Sequence, residues 1–253
     1  MRIVFIIGTA GSGKSLLTAA YAQWLRMSKQ EVATVNLDPG ASKLPYSPDV
    51  DIRDYVDIGG IMEEYGLGPN GALIMAADLI ADQIQKVSHE VEDSGADICL
   101  VDTSGQMELF AFRESGPYIV NELGKETKAM VYLFDAVFSV NPLNFVSNLF
   151  LSAAVHNRFL IPQVHLLSKT DLLPKEDVKR IVDWSASQKA LEADIDQNLE
   201  GTRRMLSRDM THAIYRLGIR FLLIPISSKS NDGMNNLNAF LERILAEGEK
   251  FTY

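Results

Sequence analysis

Gly8-Thr9-Ala10-Gly11-Ser12-Gly13-Lys14-Ser15 follows the apolar run Ile3-Val4-Phe5-Ile6-Ile7 and leads into a helical pattern starting at Leu16. The spacing is that of a phosphate-binding loop, and its flanks place it between a buried strand and a helix. The glycines let successive backbone N–H groups turn inward around phosphate oxygens. The helix that follows aims its positive end at the same point. Gly8, Gly11, Ser12, Gly13 and the helix start at Leu16 are the candidate cradle. Lys14 can reach the β- and γ-phosphates, and the Ser15 hydroxyl can ligate Mg²⁺. The stretch therefore implies binding of a nucleoside triphosphate.

Working outward, five further apolar runs read as buried strands: Val32–Leu37, Ile98–Val101, Met130–Phe134, Gln163–Leu167 and Phe221–Ile226. Like Ile3–Ile7, each is apolar on both faces, as strands of a covered parallel sheet are. Helical patterns lie between them at Leu16–Met27, Gly71–Glu92 and Asn141–Val155, with a longer one from Asp177 to about Leu217. The alternation predicts an α/β fold: a doubly wound, mainly parallel sheet flanked by helices, as in P-loop NTPases. Residues 1–253 read as a single domain, with about 177–217 as inserted helices before the last strand. In such sheets ligands gather at the carboxyl ends of the strands.

The polar motifs sit just past strand ends. Asp102-Thr103-Ser104-Gly105-Gln106 follows Ile98–Val101. Asp102 can hold the Mg²⁺ shell directly or through water. Gly105 can offer its N–H to a γ-phosphate, and Gln106 is placed to orient an attacking water. Asn36-Leu37-Asp38-Pro39-Gly40 ends the second strand. Asp38 is a candidate γ-phosphate sensor, acting through the Mg²⁺ shell or by orienting water; the plainer reading is a D-P-G turn. Ser168-Lys169-Thr170-Asp171 follows Gln163–Leu167 and is similar to the N-K-x-D base-recognition motif, with serine in place of asparagine. An aspartate there accepts two hydrogen bonds from guanine, whereas adenine would leave the carboxylate badly paired. The plainer reading of Asp171 and Pro174 is a turn before a helix. Ser227-Ser228-Lys229, after the last strand, resembles the S-A-K motif whose backbone N–H faces the guanine O6.

The formal net charge of −9 over 253 residues argues against a broad nucleic-acid-binding surface. The single cysteine, Cys99, lies in an apolar run and reads as a small buried hydrophobe. No apolar stretch is long enough to span a membrane, and the N-terminal run is too short for a signal peptide, so a cytoplasmic setting is expected.

Taken together with Gly68-Pro69-Asn70, these motifs resemble those of the GPN-loop GTPases, and most of all the compact archaeal members. The resemblance runs from residue 1 to about 250. It implies the dimerising branch of P-loop NTPases, whose members are homodimers or paralogue heterodimers, with a homodimer expected here and GTP or GDP and Mg²⁺ bound near its interface. The loop at Gly68, Pro69 and Asn70 of one subunit would then complete the phosphate site of the other. Without the resemblance, the triplet would read as a turn between two helices. Two positions depart from the family pattern: Ser104 stands where proline is usual, and Ser168 where asparagine or threonine is common.

The expected reaction is Mg²⁺-dependent hydrolysis of GTP to GDP and phosphate. Lys14, Asp38, Asp102, Gln106 and the partner's Asn70 are the candidate catalytic groups, with Ser15, Asp38 and Asp102 around the metal. A nucleotide-dependent dimeric switch or assembly factor follows from the resemblance. So does a protein client, related to RNA polymerase by family analogy alone. The inserted helices with Phe138, Phe145 and Phe150 offer a candidate client groove; the plainer reading of those aromatics is core. Two rivals stay open: an ATPase of the same branch, and a GTP-binding scaffold with little turnover.

Overall fold

The computed structural model describes residues 1–246. Seven parallel strands form one sheet: β1 (Arg2–Gly8), β2 (Val32–Asn36), β3 (Val50–Asp51), β4 (Ile98–Asp102), β5 (Lys128–Asp135), β6 (Gln163–Ser168) and β7 (Leu223–Pro225), in the order β3-β2-β4-β1-β5-β6-β7. Helices α1 (Lys14–Met27), α2 (Ile58–Tyr65), α3 (Pro69–Asp93), α4 (Met107–Ala111), α5 (Ser115–Glu122), α6 (Ala136–Ser139) and α7 (Pro142–Phe159) connect the first six strands. Three more, α8 (Lys175–Ala186), α9 (Gln188–Asn198) and α10 (Gly201–Arg216), precede β7, and α11 (Met234–Ala246) follows it.

Alternation along β1 shows why both faces must be covered. Ile3, Phe5 and Ile7 pack into a core shared with α3, α5, α7 and the inserted helices. Val4 and Ile6 point the other way, onto Leu17, Tyr21 and Leu25 of α1 and Leu237 and Leu241 of α11. A strand with no wet face reads as a continuous apolar run, which is why β1, β4 and β5 were legible. The doubly wound parallel sheet expected from the sequence is the architecture observed.

Three details differ from the sequence reading. β3 has two residues, too few to leave an alternation pattern. α2, α4 and α5 are short, and the glycines of Ile58-Gly59-Gly60 blur the first of them. The expected strand Phe221–Ile226 contracts to three residues, because Pro225 has no N–H and is tolerated at the sheet's edge. The long segment before it, read as two or more inserted helices, forms three. Ser187 is extended and accepts a hydrogen bond from the Ala190 N–H, and Gly201 (φ 57°) turns the chain again.

The inserted helices are part of the core. Trp184 is fully buried with its ring 5.5 Å from Phe145, and its indole N–H donates to Asp194 (3.0 Å). The groove considered above therefore loses two walls: Phe145 and Trp184 are interior, Phe150 is partly buried, and Phe138 alone of the three phenylalanines is half exposed. Cys99 is buried in β4, with its thiol pKa pushed up by burial.

The register sets the site. Asp102 at the end of β4 is level with Ile6 of β1 and Asn36 of β2, and Asp135 of β5 is level with Ser168 of β6. The sheet runs outward in both directions from β1, so the loop leaving β1 sits at the topological switch point.

Candidate functional site

The loop after β1 has the backbone a phosphate cradle needs. Gly11 and Gly13 adopt φ of 74° and 99°, a region side chains avoid, and Gly13 caps α1. A Cβ on Gly8 would come within 2.8 Å of the Ser12 hydroxyl and 3.1 Å of Leu133. The Lys14 ammonium folds back to donate to the carbonyls of Gly8 (3.0 Å) and Thr9 (3.1 Å). Burial lowers its pKa, while the charges of Asp102, Asp38 and Glu108 oppose that shift. The buried Ser12 hydroxyl has no hydrogen-bond partner.

Two carboxylates lie on the β2 and β4 side. Asp38 accepts the Gly105 N–H at Oδ2 (2.8 Å) and the Gly40 N–H at Oδ1 (2.9 Å). The D-P-G turn and a contact with the Gly105 loop thus coexist. Asn36 braces this turn from both sides, donating to the Asp38 carbonyl and accepting from the Asp38 N–H. Asp102 is fully buried; its Oδ2 accepts the Tyr46 hydroxyl (3.1 Å) and its Oδ1 has no partner. Burial raises its pKa to about 6, against the hydroxyls of Ser15 and Tyr46 and the Lys14 charge, which favour the carboxylate. Thr103 ties the following loop to β1 through the Ile6 carbonyl (2.8 Å). Gln106 is half-buried at the start of α4.

On the β5–β7 side Ser168, Lys169 and Asp171 each have a partner. The Ser168 hydroxyl lies 2.8 Å from the Ser12 carbonyl and 3.1 Å from that of Phe134, bracing the phosphate loop against β5 and β6. Lys169, at φ 59°, pairs with Asp135 (2.6 Å), and its Cε lies 3.9 Å from where a Cβ on Gly13 would be. Its stem therefore runs beside the phosphate loop. Asp171 accepts the Ser227 hydroxyl at Oδ1 (2.8 Å), with the Lys229 ammonium 4.0 Å from Oδ2. The Ser227 oxygen in turn accepts the N–H groups of Lys229 and Ser230 at 3.3 Å, closing the loop on which Ser228 sits half-buried.

Gly68, Pro69 and Asn70 are exposed at the start of α3. Gly68 is the extended cap and Pro69 fills the first helical position, where its missing N–H costs nothing. The triplet is thus a helix N-terminus exposed to solvent in this chain.

Among the described residues there is no group of three or more His, Cys, Asp or Glu that could hold a metal. A cation here needs nucleotide oxygens and water to complete its shell. Ser15 and the unpartnered Oδ1 of buried Asp102 fit that need. Sequence reasoning missed Tyr46 and Asp135. Asp135 ends a buried strand just as Asp102 does, so the same rule finds it. Tyr46 lies in Leu44-Pro45-Tyr46-Ser47-Pro48, which carries no periodic signal.

With this geometry in hand, comparison with known proteins decides the family. Residues 6–247 match a family model described as a conserved hypothetical ATP binding protein. The GPN-loop GTPase PAB0955 of Pyrococcus abyssi is 34% identical over 180 residues, covering 70% of this chain and 71% of that protein. The chain belongs to the GPN-loop GTPase family. Its similarity to GPN-loop GTPase 1 of Saccharomyces cerevisiae is 27% over 260 residues, 99% of this chain and 68% of that protein. It spans 43% of GPN-loop GTPase 1 of Dictyostelium discoideum, at 34% identity over 67% of this chain. The crystal structure of apo PAB0955, a GTPase, superposes with a TM-score of 0.85 at 28% identity, covering 96% of this chain and 97% of that one. Both GPN-loop family departures fall at braced positions. Ser168 supplies its brace through its hydroxyl, and Ser104 accepts the Gln106 N–H at 3.4 Å. Among the described residues of this GPN-loop protein, no helix is long and apolar enough to cross a membrane.

Proposed function

We propose that the chain hydrolyses GTP to GDP and phosphate with Mg²⁺, as a homodimer in which each subunit's Gly68-Pro69-Asn70 completes the other's site. The observation that carries the reading is one juxtaposition at the carboxyl edge of the sheet. The amide cradle of residues 8–15, the Asp38–Gly105 contact and the guanine-type carboxylate Asp171 all lie at that edge, with the Lys169 stem beside Gly13.

Each group has a defined task in this reading. The Lys14 ammonium exchanges the Gly8 and Thr9 carbonyls for β- and γ-phosphate oxygens. The Gly105 N–H leaves Asp38 for the γ-phosphate, and Gln106 orients the attacking water. Ser15 would ligate a bound cation, and Asp102, with Asp38 once released, would hold its water shell. Bound Mg²⁺ would neutralise charge on the β- and γ-oxygens. Asp171 accepts from guanine N1–H and the exocyclic amine, and its second partner, Ser227, holds it in place. From the partner subunit, the exposed α3 N-terminus and the Asn70 amide supply donors to phosphate. No arginine lies in these motifs, so turnover unaided by another protein is slow.

A dimer whose two halves meet at the γ-phosphate has different shapes with GTP and GDP, which is the basis of a switch or assembly role toward a protein client. The relation of that client to RNA polymerase rests on family analogy. The description of the matched family model as ATP binding keeps an ATPase as the second reading. Phosphate release from GTP and from ATP, measured alongside solution mass with GDP and a non-hydrolysable GTP analogue, tests both. GTP-selective release from a dimer is expected. Release from ATP at equal rate would replace the reading, and a monomer in every state would remove the trans loop.

A further inference from the structure

The contact between Tyr46 and Asp102 has no part in the motifs above. Tyr46 lies in the 38–49 loop between β2 and β3, and both ends of that loop are anchored. At one end Asp38 is fixed by Asn36 and Gly105. At the other, Asp49 accepts the Thr34 N–H (2.7 Å) and hydroxyl (2.8 Å) and pairs with Arg26 (3.0 Å). The middle is tied down as well, since Arg53 donates to the Ala41 carbonyl (2.8 Å). A loop held at these points delivers the Tyr46 hydroxyl to one place, the Asp102 carboxylate.

Asp102 is fully buried, and its two oxygens are not equivalent. Oδ2 has the tyrosine donor; Oδ1 has none. A buried carboxylate with no donor on either oxygen would turn to find one, because an unsatisfied buried acceptor is costly. The Ser15 hydroxyl also favours this carboxylate, but Tyr46 is the donor within hydrogen-bond distance, and it removes that freedom. We propose that Tyr46 is a positioning residue: its hydroxyl holds Oδ2 of Asp102 so that Oδ1 is the oxygen left for the hydration shell of a nucleotide-bound divalent cation. The role rests on the reading of Asp102 as a cation-shell residue.

The test is the magnesium dependence of nucleotide affinity, read with a fluorescent, non-hydrolysable GTP analogue in excess Mg²⁺ and in EDTA. Tyr46→Phe removes one oxygen and keeps the ring. The ratio of the Kd in EDTA to the Kd in Mg²⁺ should fall about tenfold in Tyr46→Phe, the effect of one hydrogen bond to a buried charged group. Affinity in EDTA should stay within about twofold of wild type. In an Asp102→Asn background the same substitution should change nothing further, because Tyr46 acts through that carboxylate. An unchanged ratio, an equal loss with and without Mg²⁺, or a larger ratio overturns the role; a larger ratio would mean that the hydroxyl competes with the cation. Wild-type affinity that ignores Mg²⁺ would bring down the cation-shell reading itself, and this role with it. A thermal melt of each variant with nucleotide absent establishes that it is folded.

Discussion

The two sides of the sheet's carboxyl edge differ in how they satisfy themselves. On the β5–β7 side every recognition group has a partner of its own: Ser168 on the Ser12 carbonyl, Lys169 on Asp135, Asp171 on Ser227. On the β1–β4 side the groups are either improvised or orphaned. Lys14 sits on its own loop carbonyls, the Gly105 N–H sits on Asp38, and Ser12 Oγ and Asp102 Oδ1 have nothing. A preformed half costs little to bind against, and a half that must exchange partners is one that can report which nucleotide arrived. In the proposed function, the base side is the half that selects and the phosphate side the half that changes.

Predictions that break or sharpen this contrast follow from the largest effect down. Lys14→Ala removes the cation of the phosphate side, and GTP affinity should fall by at least about a hundredfold in an equilibrium titration. An effect under about threefold would show that the ammonium stays on its carbonyls. Asp171→Asn should cut the preference for guanine over adenine by about a hundredfold or more, since the matched carboxylate is what penalises adenine. Competition binding reads it directly, and an unaltered preference would move base selection elsewhere. Gln106→Ala should lower single-turnover hydrolysis by about a hundredfold while GTP affinity stays within about threefold, as for a water-orienting group. Ser168→Ala should weaken GTP and ATP alike by about fivefold, the value of one hydrogen bond bracing the loop. If only guanine nucleotides suffer, the serine belongs to base recognition.

The smallest effect is on pH. Burial holds the Asp102 pKa near 6, above its ordinary carboxylate value. A raised acid stabilises the nucleotide-free fold while protonated. That contribution is complete below about pH 4 and is lost as pH rises through about 6. Nucleotide affinity in Mg²⁺ moves the opposite way, rising as Asp102 ionises. Melting and binding curves across that window should therefore cross in slope, and Asp102→Asn should flatten both.

Most of this arrangement is legible because its parts sit at the ends of apolar runs. Asp102, Ser168 and the loop at Gly8 each follow a strand buried on both faces, and that burial leaves an unmistakable run in the sequence. What was not legible is what depends on tertiary placement. β3 is two residues long and exists because β2 offers it an edge. The helix break at Ser187 depends on a cap hydrogen bond, not on the apolar spacing on either side. Phe145 and Trp184 could face a groove or each other, and spacing alone does not choose; they face each other. Tyr46 comes to Asp102 across 56 residues of sequence, through a loop with no pattern of its own.

Titration of the purified protein with GDP, GTP and ATP in Mg²⁺, followed by calorimetry, addresses the central claim most directly. Saturable guanine nucleotide binding is predicted, with ATP at least about a hundredfold weaker, because the preformed carboxylate of Asp171 leaves adenine unmatched. Equal binding of ATP, or no guanine nucleotide binding at all, would contradict it.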